Sequence, residues 1–549
     1  MSTFRPWRVL HLKGSDYEIG WQHAEQLGAE IHEGMLGFYR QAAARVIAPG
    51  SWSESVFHAL VVGPWLRNTP PRVRDRLAGM GDGGGLSPRE MRLALLLPDL
   101  APVVQGALRR VLPKRFLSVG APMGCSSFIS KGERFLIGRN LDFPGVGYWE
   151  RFPVVQCMQP PGALKSISFT TSGVPLGGIT GINEAQIYVA IHQHYTHRFS
   201  FSGNPCFVWG EKILNEARSL ADAREILSRA KLSTGWSFIL ADGKTREGMV
   251  WEATPERHGI CDFDADGLLA HSNYFQTAGC REQEYATSAR MIWDNRARRQ
   301  RLLDCVQAAG PGLTPGEACV ALSDHTDPYW NEEKVANRIV SIGLNVQSLV
   351  LDPERMEAWL GEGDTPIHSR QYRKIDLGKV LAGGEGLQSE TLPTAPYATA
   401  GLAKAKEEFT WAFSHWLDGD AAASVKRVQA SVAACETPES AQTLGLCYLR
   451  ARDWTNAQIW LGRAVEGIER RARERGKKLP PEYFEMRLFQ GRLEDLRGRR
   501  AEAQMHYRFI EGSPDLEDAN VRALAGRARP YQARELSRVS PFSGYVALF

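Results

Sequence analysis

The chain has 549 residues, 43% of them hydrophobic and 23% charged, with 66 basic residues against 62 acidic ones for a formal charge of +4. That length exceeds one ordinary domain, and the composition is that of a globular protein rather than a disordered one. Near-neutrality, with no basic run interleaved with aromatics, excludes an electrostatic footprint for nucleic acid.

Residues 1–17 are polar and lack an apolar signal core. The greasiest window, 93–104, is too short to span a bilayer and contains Pro98 and Asp99. A cytoplasmic protein without a transmembrane segment is the expectation. From 15 to 118 the pattern is helical: Ser15 caps an amphipathic stretch through Ile19, Ala24, Leu27 and Ile31, although Gly20 and Gly28 interrupt it. Ser87 and Pro88 form a second helix start.

At Gly124 the period changes. Short β-rich runs at 125–130, 134–141, 152–158, 166–171 and 186–192 are separated by Gly/Pro turns. A helical block follows at 205–230, with Ser219 as a cap inside it. Strands resume at 236–241, 249–253 and 268–271, helices at 281–308 and 315–322, and one more strand at 345–351. Strands and helices in separate blocks predict an α+β fold, an αββα sandwich, rather than alternating βαβ units. A Gly/Thr/Pro-rich linker covers 381–400. Beyond it, Leu444, Gly445, Tyr448, Ala457, Leu461 and Ala464 match the tetratricopeptide pattern, and Gly491, Ala503 and Tyr507 repeat part of its spacing. The predicted domains are a helical N-terminal segment (1–124), a catalytic sandwich (125–380), the linker, and an all-α repeat domain (401–549). A generic helical bundle is the competing reading of the last.

Nine cysteines, odd in number and without a CxxC pair, argue against a disulfide framework or a zinc–cysteine site. Neither metal nor cofactor is expected. His192 and His194 share a strand face suited to imidazole ligation, but no carboxylate or cysteine follows closely; pocket or rim histidines are the preferred reading. The 15 tryptophans point to core packing or to an apolar substrate pocket.

One cysteine calls for chemistry. Gly124 before Cys125, at a strand start, permits close attack of the thiol on the Gly124 carbonyl. An acyl shift and hydrolysis would then free the Cys125 amine, which can serve as base for its own thiol because its unperturbed pKa is about 8. A hairpin returns Gly138-Arg139-Asn140-Leu141-Asp142-Phe143 to the nucleophile, where Asp142 would orient the ammonium or thiol and Arg139 would stabilise a thiolate. An ion pair or a turn-capping aspartate is the bland alternative for these two residues.

Gly-Cys-Ser-Ser at 124–127, Gly-Arg-Asn-Leu-Asp-Phe at 138–143, Gly-Ile-Asn-Glu at 181–184 and His-Ser-Asn at 271–273 together resemble the isopenicillin N acyltransferase family. Choloylglycine hydrolases and acid ceramidase are its relatives, and the resemblance covers about 10–375. It implies an N-terminal-nucleophile αββα fold, autoproteolysis between Gly124 and Cys125, and action on a non-peptide acyl amide. By the same resemblance Cys125 is the nucleophile, Asp142 the supporting aspartate, Asn183 part of the Gly-x-Asn-Glu turn and Asn273 the oxyanion asparagine, a type of donor worth several kcal/mol in the transition state. Arg139 matches the bile-salt hydrolase and ceramidase branch. Arg290 matches a later catalytic arginine at loose spacing, with a solvated helix arginine as the alternative. Turn chemistry is the competing account of both asparagines.

The function expected is a self-processing cysteine amidohydrolase working through a thioester on a small acyl amide. Two readings compete with it: an acyltransferase using an acyl amide or thioester as donor, and an inactive hydrolase fold kept as a repeat scaffold. The repeat domain would bind a protein partner or another copy of the chain.

Overall fold

The computed structural model describes residues 4–46, 51–111, 124–285, 289–517, 519–527 and 529–542. Two mostly antiparallel sheets stack face to face. In the first, the strand order is Arg8–Lys13, Pro153–Gln159, Ser166–Thr171, Thr180–Asn183, Ile187–Gln193, Trp236–Asp242, Glu247–Ala253 and His258–Cys261. In the second it is Leu268–His271, Gly124–Lys131, Phe135–Asp142, Asn345–Asp352, Glu357–Glu362, Gln371–Asp376 and Leu387–Leu392.

Alternation along each strand decides which layer it faces. Ile129, Ile137, Leu349 and Leu351 point inward and meet Ile167, Phe169 and Ile239 of the opposite sheet. Phe128, Leu136 and Val350 point outward onto Leu302, Leu303 and Val306 of the helix Ala289–Ala309. The outer face of the first sheet lies under helices from both sides of the nucleophile, among them Asp16–Leu27, Pro88–Val111 and Cys206–Glu216. The layers run α-β-β-α, so the strands are covered on both faces. This is why they read as continuous apolar runs, and why Phe135–Asp142 is buried throughout.

Two boundaries differ from expectation. The segment before Gly124 is not purely helical: Arg8–Lys13 joins the catalytic sheet, parallel to Pro153–Gln159. The supposed linker contains Leu387–Leu392, which pairs with Gln371–Asp376 as the last strand of the second sheet. Both are edge strands: Arg8–Lys13 buries only Leu10 and Leu12, and Leu387–Leu392 has no buried side chain, so neither reads as a continuous apolar run. The residues directly before Gly124, 112–123, lie outside the described residues.

Ser15 caps its helix as read, and Glu18 closes a capping box with it. Gly20 also gains a reason, since a Cβ there would lie 2.1 Å from the Arg76 carbonyl oxygen of the helix Pro71–Gly84. The glycine lets two helices touch.

From Ala400 onward the chain is helical: Ala400–Leu417, Ala421–Ala434, Pro438–Arg450, Trp454–Arg475, Pro481–Leu496 and Arg500–Gly512. Close crossings fall at the small residues singled out above. A Cβ on Gly445 would sit 2.9 Å from Leu461 N, and one on Gly491 2.6 Å from the Tyr507 ring. This unit is clamped to the sandwich by buried charges. Lys334 pairs with Asp327 at 3.1 Å and with Glu439 at 2.7 Å, and Arg338 pairs with Glu482 at 2.7 Å. Such pairs are tolerated in an interior only because several partners share the desolvated charge. Among the described residues no helix is long and apolar enough to cross a membrane.

Candidate active site

Cys125 is the second residue of its strand and is 6% exposed. Gly124 stands opposite Asp142 on the neighbouring strand, and Cys125 opposite Leu141. Space at 124 is tight: a Cβ would lie 2.8 Å from Ile342 Cδ1, 3.2 Å from Asp142 Oδ2 and 3.3 Å from Arg298 Nη2. A side chain there would have to displace the groups that surround the junction.

Four polar groups converge on the Gly124–Cys125 junction. Arg139 holds Nη2 3.9 Å from the Cys125 sulfur while its Nε donates to Thr180 Oγ1 at 2.7 Å and Nη2 to the Ile191 carbonyl at 3.0 Å. Asp142 accepts from Asn345 Nδ2 at 2.9 Å through Oδ1, and its Oδ2 is buried without a partner among the described residues. Asn273 accepts the Cys125 backbone N–H through its side-chain oxygen and donates Nδ2 to the Gln193 carbonyl at 2.9 Å. Arg298 donates to the Cys125 carbonyl at 2.7 Å, to Ser126 Oγ at 2.8 Å and to Asn273 Oδ1 at 3.3 Å.

Burial governs the electrostatics. It pushes the Cys125 thiol up; Arg139, the Asp142 backbone N–H and Arg298 pull it down, while the Asp142 charge adds to the rise. Burial likewise lifts the Asp142 carboxyl to about 7, against the pull of Arg298, Asn345 and Arg139. A carboxyl that titrates near neutrality beside a cysteine is placed to take and return a proton.

The expected residues divide. Cys125, Arg139, Asp142 and Asn273 meet at one point. Asn183 does not join them: Nδ2 donates to the Leu214 and Ala217 carbonyls, at 3.2 Å and 2.8 Å, and Oδ1 accepts from the Ala185 and Ile187 N–H groups. That is turn and helix-end chemistry. Arg290 is directed elsewhere as well, to Glu485 at 3.3 Å and Asn337 at 2.8 Å, where it ties the sandwich to the C-terminal helices. The arginine that this helix brings to Cys125 is Arg298, two turns further along. The loose spacing pointed to the right helix and the wrong turn.

The histidines are not at a rim. His192 and His194 are fully buried between the sheets. His192 Nε2 lies 2.8 Å from Ser127 Oγ and its Nδ1 3.1 Å from His271 Nδ1; His271 Nε2 lies 3.0 Å from Glu252 Oε1. His194 Nε2 lies 2.7 Å from Ser237 Oγ. Burial pushes Glu252 up, but His271, His194 and Thr277 overcome it and hold the carboxylate down to about 2. No group of three or more His, Cys, Asp or Glu side chains among the described residues is arranged to hold a metal.

A narrow cavity of about 60 Å³ opens beside Cys125, Asp142 and Asn273. Its walls are apolar: Tyr39, Leu141, Phe143, Trp149, Ile179 and Ile191 among them. Pro98, on the helix Pro88–Val111, closes one side, and its carbonyl accepts from Gln193 Nε2.

A sequence model of the acyl-coenzyme A:6-aminopenicillanic acid acyl-transferase family matches residues 129–359. The stretch includes Arg139, Asp142, Asn273 and Arg298 and begins just after Cys125. An uncharacterized protein of Archaeoglobus fulgidus is 23% identical over 270 residues, 46% of this chain and 44% of that protein, so the likeness spans less than half of either. The Caenorhabditis elegans ortholog of N-acylethanolamine-hydrolyzing acid amidase aligns with 42% of this chain and 93% of its own, at 16% identity and a TM-score of 0.31.

Proposed function

We propose that the chain cuts itself between Gly124 and Cys125 and then uses the freed cysteine as the nucleophile of an amidohydrolase acting on a non-peptide acyl amide. The observation that carries this is the convergence of Arg139, Asp142, Asn273 and Arg298 on a glycine–cysteine bond at the mouth of an apolar cavity.

In the first step Asp142 Oδ2 accepts the thiol proton and Cys125 Sγ adds to the Gly124 carbonyl carbon. The C–N bond breaks as the nitrogen takes the proton back, leaving a thioester of Gly124 on Cys125 and a free α-amine. Water then releases the Gly124 carboxylate and restores the thiol. Asn273, whose side-chain oxygen already holds the Cys125 nitrogen, orients the new amine as base for the thiol. Turnover repeats the chemistry on a substrate: the thiol attacks the acyl carbon, the amine half leaves protonated, and water resolves the thioester. An amine in place of water would make the enzyme an acyltransferase, since the two reactions share every earlier step. Hydrolysis is preferred because water is always present.

A scaffold that had lost catalysis would have no need to bring Cys125, Arg139, Asp142 and Asn273 together. The small-residue crossings at Gly445 and Gly491 support a tetratricopeptide-like reading of the C-terminal helices, which would take a protein partner or a second copy of the chain.

The apolar cavity favours apolar acyl groups. Purified enzyme assayed against a series of N-acyl amides is expected to turn over fatty acyl chains faster than short polar ones. The reverse order would contradict the pocket assignment. The N-terminal fragment ending at Gly124 is expected to stay bound after cutting, because Arg8–Lys13 is a strand of the catalytic sheet and buried Asp99 accepts from Ser233 Oγ, Trp236 Nε1 and the Cys206 N–H. Both fragments should co-elute in size exclusion; a heavy chain eluting alone would contradict that retention.

A further inference from the structure

We propose that the C-terminal helical domain is a working part of the active site, and that Lys406 is the positioning residue through which it holds Asp142. The inference rests on the reading of Gly124–Cys125 as the self-processing bond and gives the C-terminal helices a role in that reaction.

Lys406 lies on Ala400–Leu417, the first helix beyond the sandwich, and is 1% exposed. A lysine on an amphipathic helix normally reaches solvent. This one points inward and donates Nζ to the Val335 carbonyl at 2.7 Å and the Ser341 carbonyl at 2.6 Å. The loop it grips leads directly to the junction. Ile342 packs against Gly124, and Gly343 lies so close to Thr410, one turn along from Lys406, that a Cβ would be 2.7 Å from its hydroxyl. The Leu344 carbonyl accepts the Phe143 N–H at 2.9 Å. Asn345 donates to Asp142 Oδ1 and accepts the His368 N–H at 3.0 Å. One helix of the repeat-like domain therefore fixes both the packing under Gly124 and the orientation of the Asp142 carboxyl.

Charge acts along the same route. Burial holds the Lys406 ammonium down to about 7, and Asp142 and Asp294 pull it back up. Reciprocally, a protonated Lys406 favours the ionised form of Asp142. The other groups acting on that carboxyl are Arg139 from its own strand, Arg298 and Asp294 from the helix Ala289–Ala309, and neutral Asn345 from the adjacent strand; Cys125 stands on the strand opposite. Removing the lysine charge moves the Asp142 titration upward. The acidic limb of the cutting rate, which requires ionised Asp142, follows it to higher pH.

The test follows self-cleavage of freshly translated full-length chain against pH in wild type, Lys406→Met, Lys406→Gln and, as a control, Lys404→Met on the exposed face of the same helix. Lys404→Met should match wild type. Lys406→Met should cut at least tenfold more slowly, with its acidic limb displaced upward. Lys406→Gln keeps two N–H donors without the charge; it should recover most of the rate at alkaline pH while retaining the displaced limb. A wild-type rate and an unmoved limb in Lys406→Met would overturn the proposal. Hydrogen exchange in the uncut Cys125→Ala background separates this inference from the self-processing reading. Adding Lys406→Met should speed exchange in 335–346 and 124–142, and unchanged exchange there would sink the coupling. A wild-type chain that never cuts would sink the self-processing reading and leave the exchange result to decide the coupling.

Discussion

Replacing Cys125 with alanine should leave one uncut chain of about the full 61.1 kDa and no turnover of any acyl amide. The side chain is both the group that would open the Gly124–Cys125 bond and the group that would carry the acyl thioester, so one substitution removes two reactions. Loss of a hydrolase nucleophile costs on the order of 10⁶ in rate. The fold should survive. Alanine occupies less space than cysteine at a site that borders a cavity, and the backbone contacts of residue 125, from its N–H to Asn273 and from Arg298 to its carbonyl, do not involve the sulfur. A melting temperature close to wild type with abolished cutting is the expected pair of results. Residual turnover by the alanine protein would mean that another group is the nucleophile.

The second large effect is expected at Arg298, a residue with no motif of its own. Its guanidinium is buried and bridges the Cys125 carbonyl, Ser126 Oγ and Asn273 Oδ1, with Asp294 at 3.0 Å as its counter-charge. Arg298→Met removes three donors from the junction and one of the positive charges that draw the thiol downward. Losing a preorganised donor of this kind costs roughly 10²–10³ in rate. Stability should fall as well, by about 1–3 kcal/mol, since the Cys125 and Asn273 oxygens lose a buried partner. Lysine at 298 carries the charge but not the planar fork, and should restore only part of the rate. Arg290→Met is the informative comparison: it breaks a contact with Glu485 and Asn337 and should leave the cutting rate within a few-fold of wild type. Equal loss in both variants would mean that Arg298 acts only by holding its helix in place.

Much of the sandwich is legible in the sequence because each inner strand is covered on both faces and so advertises itself as an unbroken β-rich run. Phe135–Asp142, Ile187–Gln193 and Trp236–Asp242 are of this kind. Edge strands carry no such mark. Arg8–Lys13 is short, with only Leu10 and Leu12 buried, and Leu387–Leu392 is mostly polar and solvated, so neither stands out in sequence from the helices and loop around it. The site divides along the same line. Cys125, Arg139 and Asp142 come from one hairpin, whose register follows from the chain itself, and Asn273 follows a strand paired to it. Arg298 reaches the junction, and Lys406 the 335–341 loop that leads to it, from helices whose sequences look like ordinary solvated surfaces. Only tertiary packing turns those two side chains inward, and no local period records that choice. His192 and His194 fail for the converse reason: His192 lies on the strand and His194 just past its end, and both meet side chains of the opposite sheet rather than a pocket.

The central claim is that the bond between Gly124 and Cys125 is broken by the protein itself. Intact-mass spectrometry with N-terminal sequencing of purified wild-type chain addresses it most directly. A light chain ending at Gly124 and a heavy chain whose first residue is Cys125 are the predicted pair. A single uncut mass, in protein that nonetheless turns over substrate, would contradict the account.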